Sequence, residues 1–250
     1  MTGEEKKIVQ GCRQTTAPVT VDPADEFRDF AYIVSHDMAG PVRSIIGFSE
    51  LLTEAASTLP KEEDRLHLEL VMESAQKLNE MIQGLLAFSR LNTVARAPGV
   101  VDLEMIVARC HMELQPKLDA TGGTLIYPPM PEVIADPNRM FTVFYALVDN
   151  AIKFRRDGLS PEIRVLAVDC GDVWEFGVSD NGIGIDPMFY DDIFRPLRKL
   201  HTDDAYPGVG MGLTLARKIV AQHGGTMSLE PSPSGGTTVW FSMPKMAPKA

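Results

Sequence analysis

Two long helical stripes, separated by a break at Leu59-Pro60, constrain the fold of this chain more than any other feature. Between Glu62 and Leu91, the residues Leu68, Val71, Ala75, Leu78, Ile82, Leu85 and Ser89 recur at alternating threes and fours, which is a heptad seam. Upstream, Phe27, Phe30, Val34, Met38, Pro41, Ile45, Phe48 and Leu52 make a second stripe. It predicts a helix from about Ala24 to Thr58, capped by Asp22 or Asp25 and kinked at Gly40-Pro41. Each helix has one apolar stripe, and an isolated hairpin cannot bury both. The stripes pack either on the rest of the chain or on a second copy. Dimerisation into a four-helix bundle covers both and is the arrangement expected.

The pattern changes after Val94–Val100, a linker by its Pro and Gly. Asp102 predicts a cap for a helix to about Leu118, with short strands over 124–127 and 132–135. Asp136-Pro137 is an N-cap followed by proline at the first helical position, opening a helix through Phe154. Residues 162–168 and 173–179 alternate as strands around a Cys170-Gly171-Asp172 turn. A helix over 211–223 is stopped by Gly224-Gly225, and a hairpin around Ser234-Gly235-Gly236 closes the chain. The fold class expected is α plus α/β, a dimerising two-helix hairpin followed by an α/β sandwich. Residues 1–22 read as a loose tail, 23–93 as the hairpin, 94–100 as the linker and 101–250 as the second domain.

A net charge of −10 argues against broad binding to nucleic acid or to an anionic membrane. No apolar run approaches the roughly 18 residues that a membrane span needs, and no h-region follows the charged start, so a cytoplasmic protein is expected. Cys12, Cys110 and Cys170 show neither metal spacing nor an even-numbered framework, which predicts reduced thiols. The tail is short for a sensor domain, so either input from a separate partner protein is expected or the chain is one end of a split system.

Four stretches could carry chemistry. In Phe30-Ala-Tyr-Ile-Val-Ser-His36-Asp37-Met38, His36 lies about 160° round the helix from Val34 and from Met38, hence on the solvent side. A water-facing imidazole beside a carboxylate can lose a proton from one nitrogen and attack with the other, although a solvated surface histidine fits as well. In Leu147-Val-Asp-Asn150-Ala-Ile-Lys153-Phe154, Asn150 and Lys153 are three apart and can face one cleft. An amide oxygen there suits Mg²⁺ and an ammonium suits phosphate; a solvated polar face is the alternative. Ser179-Asp180-Asn-Gly182-Ile-Gly184 follows a strand, and Asp180 can accept from an exocyclic amine, unless this is only an Asn-Gly turn. Gly208-Val-Gly210-Met-Gly212-Leu213 leads into a helix whose first amides can meet an anion, or it is a flexible loop. Between the last two, Arg195, Arg198 and Lys199 could reach a terminal phosphate from a mobile lid.

In this order, the motifs resemble a bacterial two-component histidine kinase over about residues 24–244. The His36 stretch resembles the phosphoacceptor box, 147–154 the asparagine box, 180–184 the first glycine box, Ile193-Phe194 the phenylalanine box and 208–213 the second glycine box. The segment Leu200-His-Thr through Tyr206-Pro-Gly to His223-Gly-Gly is similar to kinases attached to bacterial phytochromes. The resemblance implies that the second domain is a Bergerat-type ATP-binding sandwich. It implies that His36 takes the γ-phosphoryl group of Mg-ATP and passes it to an aspartate of a response regulator. It further implies that Asp37 orients the imidazole and takes its Nδ1 proton. Asn150 would hold Mg²⁺, Lys153 would contact phosphate and Asp180 would bind the adenine amine. The backbone at Gly208, Gly210 and Gly212 would wrap the phosphates, and Phe154, Gly182, Gly184, Phe194 and Leu213 would complete the nucleotide site.

Two positions depart from the family pattern. Ala146 stands where many members have a second asparagine, so Mg²⁺ would have fewer protein ligands. Gly40 stands where many have a threonine or asparagine that positions water for dephosphorylating the partner, so little or no phosphatase activity is expected. The other readings are a phosphotransfer scaffold with a degenerate ATP-binding-like domain, and an ATPase of the gyrase or chaperone class. The latter would need a catalytic acid near Asn150, and Asp149 lies about 100° away round the helix.

Overall fold

The computed structural model of the chain describes residues 39–55, 62–93, 98–200, 206 and 208–245. These fall into two compact units, one built on the helical hairpin together with Arg195–Met211, the other on the α/β sandwich.

In the first unit, α1 (Ala39–Ala55) packs against α2 (Glu62–Thr93), which runs two residues past the expected end. Ile45, Phe48 and Leu52 of the predicted stripe are half-buried, and the Phe48 ring stacks on His67 of α2 at 5.8 Å. Gly40 and Pro41, where the kink is expected, stand in the first turn of α1; the helix before Ala39, with its expected start near Ala24, lies outside the described residues. The seam of α2 is split by the structure. Met81 and Leu85 are buried and Val71, Ser74, Leu78 and Phe88 are half-buried, whereas Ala75 and Ile82 of the seam are exposed with Met72 and Leu86. The buried positions keep a seven-residue repeat, 71/78/85 with 74/81/88, so one flank of the predicted seam is shifted by one residue, from 75/82 to 74/81. Val42, Ile46 and Leu51 of α1 are likewise exposed.

The second unit begins with β1 (Gly99–Asp102), which takes in the last two residues of the expected linker and pairs antiparallel with β3 (Glu132–Ala135). Between them, α3 (Leu103–Thr121) is capped by Asp102, whose Oδ1 accepts from the Glu104 and Met105 amides. β2 (Thr124–Ile126), β4 (Glu162–Asp169), β5 (Val173–Ser179), β7 (Thr237–Pro244) and β6 (Met227–Pro231) form a five-stranded sheet in that spatial order. The β2–β4 pair is parallel and the others are antiparallel.

α4 (Pro137–Lys153) and α5 (Gly212–Gln222) pack on each other and, with α3, on this sheet. Phe144 of α4 centres the core, edge-on to Phe176 of β5 and Phe241 of β7 at 6.2 and 5.3 Å. His223 joins the end of α5 to the start of α4: its Nε2 accepts from the Asp136 amide at 3.3 Å, while Nδ1 donates to the Ile219 carbonyl. The Cys110 thiol is free, buried and pushed up to about 12 chiefly by that burial. Cys170 is disulfide-bonded, against the expectation of reduced thiols throughout. Among the described residues, no helix is long and apolar enough to cross a membrane.

Candidate functional site

The site grows from the C-terminal end of α4. Asp136 caps this helix, accepting at Oδ1 from the Asn138 and Arg139 amides, with Pro137 in its first turn. The cap fixes where the helix starts, and Asn150, Lys153 and Phe154 follow four turns later at its exit. The Phe154 amide donates to the Asn150 carbonyl at 2.9 Å. The Phe154 carbonyl in turn accepts from the Ile183 amide at 3.0 Å, which draws the loop after β5 onto the helix end. Gly182 is needed for this approach, because a Cβ there would strike the Phe154 carbonyl.

Asp180, at the end of β5, is the most constrained polar group of the site. Its Oδ1 accepts from the Gly182 amide at 2.8 Å and from the Thr237 amide at 3.1 Å, and its own amide donates to the Thr237 carbonyl at 2.9 Å. Gly236 lies so close that a Cβ would fall on Oδ1. Among the described residues, no donor is bound to Oδ2. Burial raises the Asp180 carboxyl above its ordinary value, opposed by the Thr237 and Gly182 amides and by the charge of Arg156. The result is one committed carboxylate oxygen and one left to accept from an outside donor, in partly desolvated surroundings where such a bond is strong.

Lys153 is half-buried, with its ammonium 4.3 Å from the Phe154 ring centroid, and desolvation lowers its pKa from the ordinary lysine value. Asp149, whose charge also acts on Lys153, is paired with Lys117 of α3. The Asn150 amide makes no hydrogen bond to another described residue and offers a neutral oxygen of the kind hard cations take. No group of three or more His, Cys, Asp or Glu suited to a metal exists among the described residues. As a lone protein ligand, that oxygen would leave the rest of a Mg²⁺ shell to phosphate oxygens and water. Ala146 is a packing contact: Gly212, which opens α5, comes so near that a Cβ on it would sit 3.5 Å from that of Ala146.

The remaining predicted residues are placed as follows. Gly184 has φ 77° and lies under the Gly235 and Gly236 carbonyls. Phe194 is 5% exposed, below the Arg217 guanidinium at 5.0 Å, and its carbonyl accepts from Thr214 Oγ1 at 3.0 Å, so its ring is anchored to α5. Leu213 is half-buried in the first turn of α5. Gly208 and Gly210 belong with the hairpin unit and have φ of 127° and 73°, conformations that favour glycine. In the same unit, Lys199 donates to the Tyr206 carbonyl at 3.1 Å. His36 and Asp37 lie outside the described residues. Sequence reasoning missed Thr237, Gly236 and Arg156; only the Ser234-Gly235-Gly236 run hinted at them, and it reads as an ordinary turn.

Residues 28–94 match the His Kinase A (phospho-acceptor) domain, and residues 135–247 match the histidine kinase-, DNA gyrase B- and HSP90-like ATPase. The chain is 33% identical over 219 residues to the phytochrome-like protein Cph1 of Synechocystis sp., covering 88% of this chain and 29% of Cph1. It thus spans under a third of the length of the phytochrome relatives it matches. The fold resembles full-length ShkA in complex with AMPPNP (TM-score 0.60, 24% identity, covering 87% of this chain and 46% of that one). It also resembles the histidine kinase ThkA in complex with the response regulator protein TrrA (TM-score 0.67, 21% identity, 89% and 63%). With a phospho-acceptor hairpin followed by an ATPase sandwich on one polypeptide, the chain belongs to the two-component sensor histidine kinases.

Proposed function

We propose that the protein binds ATP in the sandwich, autophosphorylates on His36, and passes the phosphoryl group to an aspartate of a response regulator. The observation that carries the reading is the half-committed Asp180 carboxylate. Its second oxygen is suited to the exocyclic amine of adenine, and the binding of AMPPNP by the similarly folded ShkA supports a nucleotide there. Lys153 meets phosphate, whose charge would offset the desolvation that lowers its pKa. The amides at Gly208, Gly210 and Gly212 wrap the phosphates, and Phe154, Gly182, Gly184, Phe194 and Leu213 shape the pocket. Bound through Asn150, Mg²⁺ would neutralise charge on the phosphate oxygens.

In the transfer itself, Asp37 takes the Nδ1 proton while Nε2 of His36 bonds to the γ-phosphorus. The bond from that phosphorus to the bridging oxygen breaks, and ADP leaves. The exposed apolar stripes of α1 and α2 support a homodimer. The ThkA–TrrA likeness supports a response-regulator partner. A cytosolic location, where ATP is supplied, goes with this reading. Gly40 has open space around it and no side chain to hold a water, which supports a kinase without phosphatase activity toward its partner.

Incubation with γ-labelled ATP separates this from the other readings. A kinase retains label on the protein that survives alkali and is lost in acid, as a phosphoramidate is. A gyrase- or chaperone-class ATPase releases free phosphate and stays unlabelled, and a degenerate scaffold does neither.

A further inference from the structure

The residue that organises the Asp180 acceptor is one that neither the motifs nor the family pattern single out. Arg156 follows α4 by three residues and is exposed, yet its guanidinium spans two loops. Nε donates to the Gly182 carbonyl at 2.9 Å, and Nη2 donates to the Gly235 carbonyl. Each of these peptides adjoins a donor to Asp180 Oδ1. Gly182 gives its own amide, and Thr237, two residues beyond Gly235, gives the other. Gly236, between Gly235 and Thr237, is the residue pressed against that carboxylate. The hairpin side is already shaped for the guanidinium: Gly235 has φ 93°, and a Cβ there would lie 2.8 Å from Nη2. The planar fork of arginine can hold two carbonyls in fixed geometry, whereas an ammonium is a single point on a flexible stem.

We infer that Arg156 is a positioning residue for purine recognition: by tying the loop after β5 to the β6–β7 hairpin, it fixes the oxygen that Asp180 offers to an exocyclic amine. The inference rests on the reading of Asp180 as the adenine acceptor. Two amides converge on Oδ1 while both loops stay in place, and the guanidinium adds its two bonds to the Ile183–Phe154, Asp180–Thr237 and Ser234–Asp180 bonds that hold them. If either moves, Oδ1 becomes available to turn, and Oδ2 loses its fixed direction.

The test compares ATP with purine riboside 5′-triphosphate, which lacks the 6-amine, by titration calorimetry on the full chain in the wild type, Arg156→Ala and Arg156→Lys. Wild type is expected to prefer ATP. Arg156→Ala is expected to weaken ATP roughly tenfold and the amine-free analogue far less, narrowing the preference. Arg156→Lys, which can serve one carbonyl, is expected to restore part of it, and it keeps the test open should the alanine variant fail to fold in a thermal melt. An equal loss for both ligands, or no loss for either, would overturn the inference while leaving the Asp180 reading intact. A wild type that does not distinguish the ligands would overturn that reading, and the inference with it, before any variant is compared.

Discussion

Asp180 and its neighbours place a conflict between stability and binding on one side chain. Burial holds the carboxyl above its ordinary value, so the folded state binds this proton more tightly than the unfolded chain does. By linkage, the ionised group is a stability loss that is absent below the ordinary carboxylate value and complete above the raised one. Asp180→Asn keeps an oxygen for the Gly182 and Thr237 amides and removes the charge. The variant is expected to melt no lower than wild type at pH 7, with any difference fading as the pH falls through the carboxylate range, and to bind ATP at least tenfold more weakly. Melts across pH, paired with ATP titrations, check both halves. The side chain is legible in the sequence because strand, Asp and Gly are contiguous. Thr237, Gly236 and Arg156 are not, because their contacts with the motif cross 26 to 57 residues of chain that no local pattern joins.

At the scale of elements, local chemistry is legible in the sequence and remote pairing is not. The caps of α3 and α4 fall where Asp102 and Asp136 predict, since each cap is satisfied within three residues. β1 was hidden in the linker because its partner β3 lies beyond the whole of α3, and Val100 is exposed on it. The parallel β2–β4 pairing is equally invisible along the chain. The heptad seam of α2 was found but not its division: the sequence carries two apolar stripes that share members, and only packing against α1 separates them. α4 is the element that couples core to site, since Phe144 and Asn150 lie on one helix. Phe144→Ala, which empties the space between Phe176 and Phe241, is expected to destabilise the sandwich by about 3–5 kcal/mol in denaturant unfolding.

Over the whole molecule, the proposed function divides the chemistry between the hairpin and the sandwich. Met72, Ile82 and Leu86 on α2, with Val42, Ile46 and Leu51 on α1, leave an apolar surface that one hairpin does not bury. Introducing Ile82→Glu with Leu86→Glu is expected to convert a dimer into a monomer in analytical ultracentrifugation, with helix content retained. A variant that stays dimeric would place the interface elsewhere. The central claim is that the sandwich's nucleotide is spent on one histidine of the hairpin. It is tested most directly by incubating wild type, His36→Gln and Asn150→Ala with γ-labelled ATP under identical conditions. Stable, acid-labile label on wild type alone is the result predicted, with His36→Gln still binding ATP. Label of undiminished intensity on His36→Gln would contradict the account.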